Sequence, residues 1–428
     1  MLQLAEERAL EIKQLGVGDE LFGPLSHRLV QLLLAADQAI STLKEGCEHP
    51  FPMRDLPRVL VEEVAQLAKG DPAVLRRLQE LVDGGREYYA PMAASILHFA
   101  DERWRPNGDC RTYLSGAFFS AARWQGIDLN RLNLEGADLN RSDLRGANLT
   151  LTLLTKASLR DSNLEAARLG MVSAHQADFS EADLTGADMF RGQFLEAHFA
   201  RSMLNQVTAA QADFRGADLR TASLRAASLQ RCDFRDAMLD GADFQDAHLQ
   251  GADLSEQQLR NTILRAADLS KCNLSRSDLE FLELPGARLH AASLVNAWLT
   301  GSVMRGADLR NARLRCAGLA EVDWEGADLR GADLRGCSFH LGSSRCGLVG
   351  SPYPCHGTRT GFYTNDYDAQ SYKAPETIRK ANLCGADLRG ALIAGVDFYL
   401  VDLRGARYDR QQAAHCRRCD AILFDRAT

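Results

Sequence analysis

Cys416 and Cys419 stand in a Cys-x-x-Cys spacing directly after His415, while Cys346, Cys355 and His356 lie upstream. Thiolates and imidazoles in such groupings are the ligands of structural zinc. A closed site draws on two well-spaced pairs, and this single pair on a helical segment lacks the second, so no metal is expected. The histidines His175, His198, His248, His290 and His340 are scattered. General acid–base work needs partners within hydrogen-bond reach, and no two of these share a register, so no catalytic and no cofactor-binding residue is assigned.

Two further groups point to recognition instead of reaction. Asp213, Asp233 and Asp253, followed by Asn273, recur at one register with Arg215, Arg220, Arg225 and Arg235 close by. Such a column is either an acidic stripe that imitates DNA phosphates or a row of turn-holding carboxylates paired with the neighbouring arginines. Residues 111–340 carry about 26 basic and about 30 acidic side chains, and a phosphate mimic needs strong net negative charge, which favours pairing. Tyr353, Phe362, Tyr363, Tyr367 and Tyr372 are interleaved with Gly, Pro, Asn and Asp. They read equally as an adaptable aromatic binding surface and as a solvated insertion.

The elements that position these groups follow from periodicity. Residues 1–106 read as a helical domain: Leu25, Leu29, Leu32, Leu33, Ala36, Ile40 and Leu43 recur at helical spacing, as do Leu56, Leu60, Val64 and Leu67. Asp71-Pro72 predicts an N-cap with proline at the first helical position, opening a helix that stops near Gly84-Gly85. A last helix carries Met92, Ile96, Phe99 and Trp104.

Beyond that boundary a large apolar residue recurs every fifth position, from Phe119 and Trp124 to Leu334 and Phe339, through about 45 units in one phase. Ala, Ser, Thr, Cys or Val stands two places before it in most units, Asp or Asn is frequent between them, and Gly often closes the unit. Five fits neither a helix nor a flat strand, so the chain turns once per unit. Four sides make a coil of about 20 residues, with the large residue and the small one pointing inward. Stacked at about 4.8 Å, some 11 coils give a rod on the order of 50 Å. Phe194, Phe214 and Phe234 then stack inside consecutive coils as core. Ala174, Ala209, Gly192 and Gln257 depart from the pattern and predict local narrowing or kinks.

The repeated A-(D/N)-L-x-x, seen as GADLR, GADFQ and GANLT, resembles the pentapeptide-repeat family. The resemblance implies a mainly β solenoid, the right-handed quadrilateral β-helix, over 110–340. Leu383, Leu388, Ile393, Phe398, Leu403 and Tyr408 keep the period in another phase, so 341–380 is expected to be an inserted loop and 381–408 a second repeat segment. Residues 409–428 are expected to cap the last coil, with a short helix from about Asp409 to Leu423 and the prospect of a homodimer through that cap. Long excursions inside a solenoid are often functional.

The fold so implied is a non-enzymatic interaction scaffold with a protein partner. Two alternatives come from the same resemblance: some members bind DNA gyrase as duplex mimics and protect it from quinolones or toxins, and some are bacterial effectors delivered into other cells. A formal charge of −7 argues against direct nucleic-acid or acidic-lipid binding. The charged, helical start of the chain and eleven cysteines without a spacing framework lead to the expectation of free thiols in the cytoplasm.

Overall fold

A computed structural model describes residues 35–45, 56–85, 89–106, 113–341 and 379–424. The chain divides into two compact units, Met1–Asp178 and Phe179–Thr428, a division that falls inside the repeats.

In the first unit the described helices precede the coil. α1 occupies the described residues 35–44, followed by α2 (Arg58–Ala68), α3 (Pro72–Asp83) and α4 (Ala90–Ala100). The apolar positions 25–33 lie outside the described residues. Asp71 caps α3 as its sequence predicts, its side chain accepting from the Ala73 and Val74 amides, and Gly84 ends it. α4 is almost continuously apolar, and Ala90 through Leu97 are all buried. A helix apolar on all sides must be enclosed, and α2 and α3 both pack on it. Trp104 is not part of α4, which stops at Ala100. The helix ends where the Asp101 amide bonds Leu97, and the Trp104 indole donates to Gln79 at 2.9 Å.

From Tyr113 the backbone coils. Asn133 pairs in parallel with both Tyr113 and Leu153. Leu134 donates to Leu153 at 2.8 Å and Leu153 to Leu132 at 2.9 Å. Each side contributes one bridging residue, so the ladder is a series of isolated parallel pairs rather than long strands. Sides meet at turns in which the amide three residues on closes back, as Ala137 does on Leu134 at 3.0 Å. The third residue of that turn, Gly136, has φ of 66°. This is the type II turn, whose third position demands positive φ. Every fifth residue from Gly116 to Gly336 takes it except Asn261, including bulky Phe281 at 60°.

The interior holds two residues of every five. Ala212 with Phe214 and Ala137 with Leu139 are buried, and the intervening residue faces outward. A polar hydrogen at the inward small position is received by a nearby carbonyl in most coils, either three residues back, as Ser202 donates to Phe199 and Thr262 to Leu259, or in the previous coil. Cys232 donates to Ala209, Cys272 to Leu249, Ser277 to Leu254 and Thr152 to Leu129.

The second unit contains a right-handed quadrilateral β-helix of the same construction. Phe194, Phe214 and Phe234 stack within it at centroid spacings of 5.2 and 5.3 Å. Gly192 is explained by this stack: a Cβ there would lie 2.4 Å from the Phe194 ring. After Phe339 the chain leaves the coil through β1 (His340–Leu341) and returns through β2 (Arg379–Lys380), an antiparallel pair in which His340 faces Lys380. Ala381 bonds straight back to Phe339 at 3.0 Å. Asn382 therefore stacks on Asp323, 59 residues away, and the ladder resumes. The change of phase in the sequence is this insertion.

The C-terminal helix is shorter than its sequence predicts. α5 spans only Arg410–Arg418, with a capping box between Asp409 and Gln412. Ile422 is extended and pairs with Asp402, because the coil edge offers amide and carbonyl groups that the chain satisfies by returning to the ladder. The Gln412 amide donates to Leu388 and Ala391.

Candidate interaction surface

The outward residue between the two inward ones sits on the ladder, and its side chain controls the next turn. Where it is Asp and the residue two places on is Arg, a closed clip forms. Asp328 accepts from the Arg330 amide at 3.1 Å and from its guanidinium at 2.9 and 2.6 Å. The Arg330 guanidinium holds the Asp328 carboxyl below the usual carboxylate range. At Asp143 the bond from Arg145 lowers it to about 2.

The column of Asp213, Asp233 and Asp253 is placed as a ladder, with consecutive members paired across coils. Asp213 is bonded to Arg215 at 2.7 Å and Asp233 to Arg235 at 2.6 Å, with Arg215 also 3.8 Å from Asp233. Asp253 instead accepts from the Ser255 hydroxyl at 2.6 Å and the Asn273 amide at 3.0 Å. The aromatic residues Tyr353, Phe362, Tyr363, Tyr367 and Tyr372 lie outside the described residues.

Two arrangements escaped the sequence reading. One is a second clip ladder, Asp308–Arg310, Asp328–Arg330 and Asp387–Arg389, whose arginines also reach the next aspartate at 3.7 and 3.9 Å. It runs across the insertion, so its third member is displaced in sequence. The signal was present: three A-D-L-R units at one register once the insertion is removed. The other is a buried acidic pair. Asp278 is fully buried and Glu280 nearly so. With Glu where the clip has Arg, the pair draws its cation from the previous coil, Arg260, which bonds Asp278 at 2.7 Å and also Glu280. The departure from Asp-x-Arg to Asp-x-Glu was its only mark.

His198 and His248 stand on the ladder opposite Asp218 and Asp268. His415 bonds the Val396 carbonyl at 2.6 Å, and burial pushes the Cys416 thiol up to about 11. Cys232, Cys272, Cys337, Cys384, Cys416 and Cys419 carry thiols that are not joined in disulfides. Cys316 is disulfide-bonded, against the expectation of free thiols. Its place explains the difference: it occupies an outward turn position at φ 61°, unlike the inward cysteines. No helix among the described residues is long and apolar enough to cross a membrane.

Stacked square coils, with inward pairs of one large and one small residue and outward Asp–Arg clips, define a repeat solenoid that works as a scaffold. The family model "Pentapeptide repeats" matches in eight copies, at residues 112–150, 157–191, 217–256, 242–280, 252–290, 284–317, 312–340 and 377–407. Together these exceed half of the chain, which belongs to the pentapeptide-repeat family. Among solved structures it is similar to HetL, a pentapeptide repeat protein involved in heterocyst differentiation regulation in the cyanobacterium Nostoc sp. strain PCC 7120. The identity is 28% over 51% of this chain and 87% of that one, with a TM-score of 0.27. It is also similar to QnrB1, a plasmid-mediated fluoroquinolone resistance protein, at 18% identity over 61% and 95% of the two chains, with a TM-score of 0.26. A pentapeptide repeat protein of the Arabidopsis thaliana thylakoid lumen is 31% identical over 26% of this chain and 63% of its own, at a TM-score of 0.19. No curated protein sequence matches.

Proposed function

We propose that the protein is a non-enzymatic interaction scaffold that presents fixed outward side chains, and the aromatic insertion between β1 and β2, to a protein partner. The observation that carries this reading is the outward lattice itself. Successive ladder positions are locked by backbone bonds to the coil on either side, so side chains are offered in rows with little conformational entropy left to lose on binding. Tyr353, Phe362, Tyr363, Tyr367 and Tyr372 supply the amphipathic area that such contacts use most.

The pairing of Asp213 and Asp233 with Arg215 and Arg235 favours this reading over a duplex mimic that engages DNA gyrase. A mimic needs the charge of that column unneutralised.

The test is capture of partners from the native host by the full chain and by a chain lacking 342–378. Because Phe339 and Ala381 are already bonded, a short turn can replace the insertion without breaking the ladder. Loss of a specific partner on deletion is expected, and an unchanged partner set would overturn the role given to the insertion. A supercoiling assay in which excess full chain inhibits or protects gyrase would reverse the preference between the two readings.

A further inference from the structure

Between two neighbouring coils of the second unit the stacking fails along one side; the pairing of Ile263 with Glu283 is also absent from the ladder among the described residues. Met238 pairs with Asp218 and Gln258 pairs with Asp278, yet Met238 and Gln258, which register sets opposite each other, form no bridge. The bonds that register calls for, from the Leu239 amide to Gln258 and from the Gln258 amide to Ala237, are likewise absent among the described residues. Asn261, at the end of this side, is the one turn residue without positive φ between Gly116 and Gly336.

Gln257 is the cause. It occupies the inward slot filled by Ala237 in the coil before and by Ser277 in the coil after, and a long amide cannot enter a space shaped for a methyl or hydroxymethyl group. The two coils part, and a cavity of about 410 Å³ opens between 236–240 and 256–261, with Arg220 at its edge. Gln257 is only 4% exposed, lines this cavity, and has no hydrogen-bond partner for its amide among the described residues. An amide placed at the mouth of such a cavity takes its hydrogen bonds from solvent or from a ligand that displaces the solvent.

The lining has a definite electrostatic sense. Its two cations are already engaged: Arg220 bonds Asp218 at 2.7 Å, and Arg260 bonds Asp278 and Glu280. Its carboxylates are less satisfied. Asp240 accepts from the Asn261 amide at 2.7 Å and lies within the field of Arg220, and Glu256 meets Arg276 at 3.1 Å. Asp236 has no hydrogen-bond or ion-pair partner among the described residues. Met238, 44% exposed, adds an apolar wall.

We infer that this opened seam is a docking site for a basic side chain of a partner protein, its charged head set between Asp236 and Asp240, its stem along Met238, and the Gln257 carbonyl accepting from it. The volume suits one long side chain and is at the small end of ligand pockets. The inference rests on the scaffold reading only in taking the side chain to come from another protein.

The experiment uses the full chain labelled with ¹³C at methionine methyls, titrated with acetyl-arginine methylamide and, in parallel, acetyl-glutamate methylamide. The Met238 resonance, assigned by Met238→Leu, is expected to shift saturably with the arginine probe alone. Asp236→Asn with Asp240→Asn, both at the surface, is expected to weaken that response by about tenfold or more. Gln257→Ala restores the small inward residue, closes the seam and is expected to abolish it. An unmoved Met238 resonance, an equal response to both probes, or full binding by Gln257→Ala would each overturn the site. A silent probe with partner capture intact removes the site and leaves the scaffold reading standing; a responsive probe with no captured partner does the reverse.

Discussion

Phe214 lies fully buried between the rings of Phe194 and Phe234, and its removal leaves a gap that two nearly parallel neighbours cannot fill. Phe214→Ala is expected to destabilise the second unit by about 3–5 kcal/mol, the range for a buried aromatic deletion, read as a lowered denaturant midpoint. Outward residues behave differently, since they hold turns. Asp143 has its carboxyl lowered to about 2 by Arg145, from 3.8 when free. The folded state therefore binds this proton more weakly than the unfolded one. The stabilisation is complete above about pH 4 and is lost as pH falls toward 2. Asp143→Asn is expected to remove that part of the acid dependence, checked by comparing unfolding midpoints across the range. Asp–Arg clips recur in both units, so acid is expected to loosen many turns together.

At the scale of elements, α4 determines how the coil of the first unit begins. The Phe118 amide donates to the Ser95 hydroxyl at 2.8 Å, and Trp104 stacks on Phe119 at 6.1 Å. His98 packs edge-on against Phe119 and Trp124, its Nε2 3.1 Å from the Ser120 carbonyl. The helices thereby close the open end of the first coil, which would otherwise expose apolar rings and unpaired amides. Burial holds the His98 imidazole below its ordinary 6.5, outweighing the Ser120 bond that raises it. The unfolded chain takes up this proton first, so stability is complete above about pH 6.5 and declines as pH falls below it. His98→Gln is expected to flatten the change in unfolding midpoint between about pH 7.5 and pH 5.5, measured by near-ultraviolet dichroism of Trp104 and Trp124.

At the scale of the whole molecule, stability is a sum of coil-to-coil interfaces rather than one core. Unfolding is expected to depart from a single cooperative transition, and amide exchange gives the finer test. Because the ladder opens between 236–241 and 255–261, amides of Leu239 and Gln258 are expected to exchange faster than those of Leu219 and Leu224, which are bonded across the preceding interface. Equal protection at all four would show that the seam is closed in solution.

What the sequence determined by itself is the coil. A five-residue period through about 45 units admits one solution, because an inward large residue and an inward small one cannot both be buried unless the chain turns at each unit. The Asp71 cap and the change of phase at the insertion were legible for the same reason: each is a local rule with a local signature. What only the tertiary structure decided concerns partners far apart in the chain. That Asp387 continues the ladder of Asp328, that Arg260 neutralises Asp278 and Glu280, and that Gln257 parts two coils instead of merely kinking one all depend on what the neighbouring coil brings opposite. A single unit carries the instruction to turn; only stacking, which sets residues of different coils side by side at hydrogen-bond distance, determines which charges are satisfied and where a cavity is left.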